Sequence, residues 1–341
     1  MRWPTRLLVG AGLLGGAGYL YAQRRETRRA GATIRLSADA FNALQDQTFL
    51  SEVFSAPGLP WRTEGEKVAD DNPPARKFGL TLYRLKGCPY CAKVEWLLRF
   101  HSVAFDVVDI DTLSGYGIPD QRYTQVPQIR LRSLPEADTQ SSGGTADAYV
   151  VDSQHIVTAL SEPLGFAKQL DDPRVAETRK WIAERFQAVS FLAANSTWKN
   201  ARLTCHLVTP PCYHNALFRV AGGSVLFALA RYKIAPSLES KRLPTDTAPP
   251  MELLWENPGE WLNAELGAFV TRLPKTRDAF HGGREPDLAD VEMYAVTRLI
   301  DAHPSLRSML HTGALGKWND AMDAEMRRRM MVHVGKQPFD H

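Results

Sequence analysis

Gly87-Cys88-Pro89-Tyr90-Cys91 is the stretch that decides the fold. Upstream, Leu80 to Leu85 reads as a strand, and Pro89 to Phe100 downstream as a helix with Val94, Leu97 and Leu98 at i, i+3, i+4 spacing. Cys88 therefore stands at a helix N-terminus. Free amides and the helix dipole there favour a thiolate, and Cys-x-x-Cys thiols have pKa values of roughly 3.5–7.5 against about 8.5 for a free thiol. Pro89 suits the first helical position, where its missing N–H costs nothing. Two other readings compete: half of a zinc site, for which no second Cys-x-x-Cys or His-x-His pair stands at ribbon or finger spacing, and inert thiols.

Working outward, Val103 to Ile110 reads as a second strand, whose crossover length from the first implies a parallel pair. Val126-Pro127 precedes a third strand, Gln128 to Leu131. Ala148 to Val151 is a fourth, antiparallel to the third. Asp152-Ser153 caps a helix running to about Leu160. Ser133 to Asp147, rich in Ser, Gly and Thr, is a surface loop. Beyond Pro173 the pattern is helical: Val175 to Ala193, about Asn215 to Tyr232, about Met251 to Leu273, and a helix opened by Pro286-Asp287-Leu288-Ala289-Asp290 with Asp287 as N-cap and Asp290 at N3.

The chain of 341 residues has room for two domains, and 44% hydrophobic with 23% charged residues is ordinary globular composition. A net charge of +3 is too weak to argue for a nucleic-acid partner, and none is expected. Four cysteines are too few for a disulfide scaffold, so Cys88 and Cys91 read as a working pair in a reducing compartment. Leu7 to Ala22 is an uninterrupted apolar, Gly-rich run flanked by arginines, with no acid before Glu26. It reads as a membrane anchor, with an organelle transit peptide and a cleaved secretory signal as alternatives. The organisation expected is an anchor or targeting segment over 1–29, a linker over 30–76, a thioredoxin/glutaredoxin-like α/β domain over 77–165 and an all-α domain over 172–341.

Cys-Pro-Tyr-Cys, Val126-Pro127 and Asp152-Ser153 on a β-α-β-β-α scaffold together resemble the thioredoxin-like domain of glutaredoxins and glutathione transferases. A cis Val-Pro bond would keep a backbone edge open for a peptide's cysteine, and the Asp-Ser helix start offers amides and a hydroxyl to a carboxylate. With Leu80-Thr-Leu-Tyr, Phe100-His101, the Gly282-Gly-x-x-Pro-Asp-Leu-Ala-Asp-Val helix start and the apolar N-terminal run, the chain is similar to the membrane-associated prostaglandin E synthase type 2 family. That resemblance implies a glutathione transferase-like fold converting prostaglandin H2, a lipid endoperoxide, to prostaglandin E2 with a thiol reagent. It also implies glutathione as cofactor and a glutathione-haem complex as a further ligand. Cys88 would be the essential thiol and Cys91 its partner. Tyr90, Val126, Pro127, Asp152 and Ser153 would be the glutathione site. A mitochondrial or Golgi membrane is the implied location, and a homodimer a candidate assembly. Leu85 stands where the family has an aromatic residue three positions before the first cysteine, so a hydroxyl there is lost.

A glutathione-dependent thiol-disulfide oxidoreductase tethered to a membrane is the alternative function, and a non-catalytic adaptor a third. Cys205-His206 and Cys212-x-His214 can be drawn as zinc ligands, against a plain helix-connecting turn. His101 and His155 read as capping or packing residues, and Trp181, Phe186 and Phe191 as core. Arg327 to Arg329 are a solvated helix end or a contact to anionic lipid, and Asp290 a buried cap.

Overall fold

The computed structural model describes residues 35–36, 78–103, 105–110, 118, 125–133, 147–209, 214–240, 257–275 and 280–331. The run at 7–22, most of 30–76 and the loop at 134–146 lie outside them. No helix among the described residues is long and apolar enough to cross a membrane.

The chain divides into two compact units. The first contains a five-stranded sheet: β1 (Arg35–Leu36), β2 (Phe78–Arg84), β3 (Asp106–Asp109), β4 (Gln128–Ser133) and β5 (Asp147–Val151), in the order β1-β5-β4-β2-β3. β2 pairs parallel with β3 and antiparallel with β4, and β4 pairs antiparallel with β5. These are the pairings expected of a thioredoxin-like sheet. Two-residue periodicity sorts its faces. Leu80 and Leu82 stand opposite Leu131 and Ile129, and Ile129 opposite Val150, all buried on one face. On the other, Tyr83 and Tyr149 pack with Ile110, Val108, Ile118 and Val126.

Two details depart from expectation. Arg35–Leu36, within the stretch read as linker, adds a parallel edge strand to β5 at Tyr149 and Val150. β3 is shorter than the Val103–Ile110 strand expected, because it is an edge whose Asp106, Val107 and Asp109 face solvent. Charged, short edges limit pairing with other chains.

The second unit holds α1 (Pro89–Phe100) and the helices after residue 160: α3 (Ala167–Leu170), α4 (Pro173–Trp181), α5 (Gln187–Asn195), α6 (Trp198–Val208), α7 (Ala216–Leu229), α8 (Ala235–Ser240), α9 (Pro258–Arg272), α10 (Leu288–Ala302) and α11 (Gly313–Met331); α2 (Ser153–Ser161) begins in the sheet unit. A π-helical turn, Ile182–Phe186, joins α4 to α5, and another, Ala230–Ile234, joins α7 to α8. The core forms around α10, buried along most of its length. Trp181 stacks on Phe269 with centroids 6.4 Å apart, and Phe269 meets Trp318 edge-on at 4.9 Å.

α1 is fixed to α10 by the edge-on pair Trp96–Tyr294 at 5.1 Å and by a buried ion pair. Lys93, 2% exposed, has Nζ 3.4 Å from Glu292 Oε2, while Arg179 donates to Glu292 Oε1 at 2.8 Å. Burial pushes the Lys93 ammonium below its ordinary pKa and Glu292 pulls it back. Removing Glu292 leaves the buried Lys93 and the partly buried Arg179 as two cations with no shared acceptor, so Glu292→Leu should cost about 3–5 kcal/mol, whereas Lys93→Met leaves Arg179 on Glu292 and should cost under about 1.5 kcal/mol. Urea unfolding of both variants checks this, and the reverse ranking would contradict the assignment of Glu292 as the shared acceptor.

Candidate thiol site

Cys88 is the N-cap of α1, with extended backbone (φ −74°, ψ 121°), and Pro89 follows in the first turn. Its carbonyl accepts the first helical bond from the Ala92 amide at 2.9 Å. Gly87 shapes the turn that delivers it. At φ +77° it occupies the left-handed region, and a Cβ there would lie 2.2 Å from Val208 Cγ1 on α6. Only glycine permits both this backbone and this approach.

The Cys88 thiol is half-buried, while Cys91, one turn into the helix, is 1% exposed. The hydrogen bond from the Cys91 side chain is the main influence holding the Cys88 pKa down at about 7. Burial opposes it, and the amides of Cys91 and Tyr90 assist. A thiol with this value is about half thiolate at neutral pH. Cys91, enclosed by apolar packing, supports Cys88 and has little access of its own. Tyr90 projects outward, 48% exposed.

The remaining residues expected at the site are brought together at one end of the sheet. Gln128 pairs with Val151, so Val126-Pro127, just before β4, and Asp152-Ser153, just after β5, are neighbours across the sheet end. The Val126–Pro127 bond is cis. Asp152 has φ +76°, a left-handed conformation that costs a non-glycine residue about 1–3 kcal/mol. It is tolerated because Asp152 Oδ1 accepts the Gln154 amide at 2.8 Å as α2 begins. Ser153 is buried in the first position of α2. Cys88, Tyr90 and Cys91 belong to the helical unit; Val126, Pro127, Asp152 and Ser153 belong to the sheet unit.

Other candidates resolve as structure. His101 closes α1 with its ring between Phe100 and Phe166, and burial together with the nearby Arg329 pushes its pKa down to about 3, so it stays neutral. His155 is exposed on α2. Phe186 is fully enclosed. The His206 and His214 rings meet at a 45° tilt with centroids 3.9 Å apart and Cys205 is buried on α6, but no group of three that could hold a metal joins them among the described residues; Cys212 lies outside these.

One cluster was only half foreseen. Asp287 and Asp290 form the expected capping box of α10, and His281 joins them through its Nδ1 at 2.6 Å from Asp287 Oδ2. Asp290 accepts from the amides of His281, Gly282 and Asp287 and from Trp318 Nε1 at 2.8–3.0 Å. His281 Nε2 meets the Thr178 hydroxyl at 3.0 Å. Every ligating atom that a metal would need is already engaged, so the trio is a buried clasp.

Comparison with known proteins places the motif within a wider similarity. Residues 80–132 match the glutaredoxin family model. That span includes Cys88, Tyr90, Cys91, Val126 and Pro127. The chain is 24% identical to prostaglandin E synthase 2 of Mus musculus over 301 residues, 79% of this chain and 76% of that protein. It is 23% identical to prostaglandin E synthase 2 of Danio rerio over 284 residues, 75% of this chain and 74% of that one. Among solved structures, glutathione transferase F7 from Populus trichocarpa aligns with 75% of this chain and 99% of its own, at 13% identity and TM-score 0.41. Beta-etherase LigF from Sphingobium sp. strain SYK-6 covers 74% of this chain and 98% of its own at 16% identity and TM-score 0.42. The resemblance to the prostaglandin E synthase type 2 family expected from the motifs thus extends over about three quarters of the chain.

Proposed function

We propose that the protein is a thiol-dependent isomerase that converts prostaglandin H2 to prostaglandin E2 and uses glutathione or another thiol reductant. The observation that carries this reading is Cys88: a helix N-cap thiol held near pKa 7 by a buried partner, in a chain similar to prostaglandin E synthase 2 proteins. The Cys88 thiolate, or a water it orients, takes the proton from C9 of the endoperoxide. The C–H electron pair becomes the C9 carbonyl as the O–O bond breaks heterolytically. The oxygen released on C11 takes up a proton and becomes the hydroxyl. Atoms balance and no net electrons enter. Cys91 acts on Cys88 without reacting itself. In the sheet unit, the Val126 backbone would pair with glutathione's peptide, and the α2 start at Asp152-Ser153 would receive a carboxylate.

The glutaredoxin match over residues 80–132 favours a second reading, glutathione-dependent thiol-disulfide exchange. There Cys88 attacks a mixed disulfide and Cys91 resolves it. The two readings part at Cys91. Turnover of prostaglandin H2 with dithiothreitol, measured beside glutathione-coupled reduction of a small mixed disulfide in wild type and Cys91→Ser, decides between them. Prostaglandin E2 formation retained in Cys91→Ser supports the isomerase. Disulfide reduction without prostaglandin formation replaces it with the oxidoreductase.

A further inference from the structure

A cavity of about 400 Å³ lies in the helical unit, walled in part by Trp198, Lys199, Arg202, Leu203, Arg219 and Ser305. Its size falls within the roughly 300–1,000 Å³ of small-molecule sites. Three features set it apart. Its charged lining is wholly cationic, and among the described residues Lys199, Arg202 and Arg219 form no ion pair. The Arg219 Nε is buried without a hydrogen-bond partner, a state that costs free energy until an acceptor arrives. Finally, Lys199 stands in the first turn of α6, at the positive end of that helix. Trp198 and Leu203 supply apolar wall, and the Trp198 indole, 42% exposed, rests edge-on against Phe227.

The seam beside this cavity is close. A Cβ at Gly223 on α7 would come within 2.7 Å of Arg202 Cγ on α6, so the two helices hold the cations on a shared rim. The same helix leads to the reactive cysteine. α6 opens at Trp198 and ends at Val208, the residue that Gly87 abuts, and Lys86 is near enough to His206 to depress its pKa. At about 1.5 Å of rise per residue, the cavity lies some 8–15 Å along α6 from the turn that carries Cys88.

We propose that this cavity binds the carboxylate end of a long-chain fatty-acid-type ligand, with Lys199, Arg202 and Arg219 taking the charge and Trp198 and Leu203 the first methylenes. The proposal rests on the function above in one respect: it gives the carboxylate end of the Cys88 centre's substrate, several carbons from the reacting midsection, a place in the helical unit.

Palmitate, which cannot react, tests it on the full chain by tryptophan fluorescence and calorimetry. Wild type should bind saturably, and Lys199→Gln/Arg219→Gln should bind about tenfold or more weakly while melting normally. Trp198→Phe should lose the fluorescence change and keep the calorimetric signal. Equal affinity of the double variant, equal affinity for hexadecanol, or acetate binding as tightly as palmitate would each overturn the proposal. Palmitate binding in a protein without prostaglandin turnover would sink the isomerase and leave the cavity; turnover without palmitate binding would do the reverse.

Discussion

Cys88→Ser should abolish thiol-dependent turnover, by a thousandfold or more on the order of other essential nucleophile or base losses, with the fold intact. The basis is the protonation state at this one position. A serine hydroxyl on the same N-cap stays protonated at any working pH, whereas the Cys88 thiol is about half ionised near neutrality. The substitution removes no packing of note, because Cys88 caps no amide with its side chain and is only half-buried. Steady-state turnover beside a melting curve checks both halves. Residual activity near wild type would place the reacting group elsewhere.

Asp290→Ala should be among the single changes most damaging to stability. A cap contributes about 0.5–2 kcal/mol on its own. Asp290 does more than cap, since three backbone amides and the Trp318 indole all end on its two oxygens in a fully buried site. Truncation strands four donors, and a loss of about 3–5 kcal/mol is expected, measured as a fall in urea midpoint. Burial and the neighbouring Asp287 carboxylate push the Asp290 pKa up to about 6 while the three amides pull it down. Asp290→Asn keeps the size but turns one acceptor into a donor against donors, so it should rescue less than half of the loss. A midpoint shift below about 1 kcal/mol for the alanine variant would show that the clasp is not what holds α10.

How much of this could be read in the sequence follows from range. The start of α1 was legible because its signals are local: Pro89 at the first position and apolar residues at helical spacing. The antiparallel pairing of β4 with β5 followed from the same short-range patterning. The capping box was visible because Asp287 and Asp290 are three residues apart. Its third member, His281, was not visible, because it reaches Asp287 only through the reversal at Gly282-Gly283, where Gly283 takes φ +95°. Lys93 reads as a surface lysine beside the motif, and only the packing of α1 on α10 turns it inward to Glu292, almost two hundred positions away. Arg35–Leu36 has no strand signal of its own; two residues are recruited by an unpaired edge of β5. At the site, the chemistry of Cys88 was legible from the motif, and so were two sources of its acidity, the helix N-terminus and the Cys91 partner. Their ranking was not, because it depends on the hydrogen bond that the Cys91 thiol makes to Cys88 once both are packed in α1. The cationic cavity had no motif, since Arg202, Arg219 and Ser305 come from three separate segments.

The most direct test of the account is the pH dependence of Cys88 alkylation, followed by mass spectrometry of the peptide bearing it in wild type and Cys91→Ala. Removing the Cys91 hydrogen bond should raise the Cys88 pKa toward the ordinary thiol range of about 8.5, which makes the midpoint the informative quantity. The rate at pH 7 should fall only several-fold, because a more basic thiolate is also more nucleophilic. The account predicts that wild-type Cys88 reacts with a midpoint near pH 7, the rate rising through that value and levelling above it, and that Cys91→Ala moves the midpoint upward by about one unit or more. A wild-type midpoint at 8.5 or above, unmoved by Cys91→Ala, would contradict it.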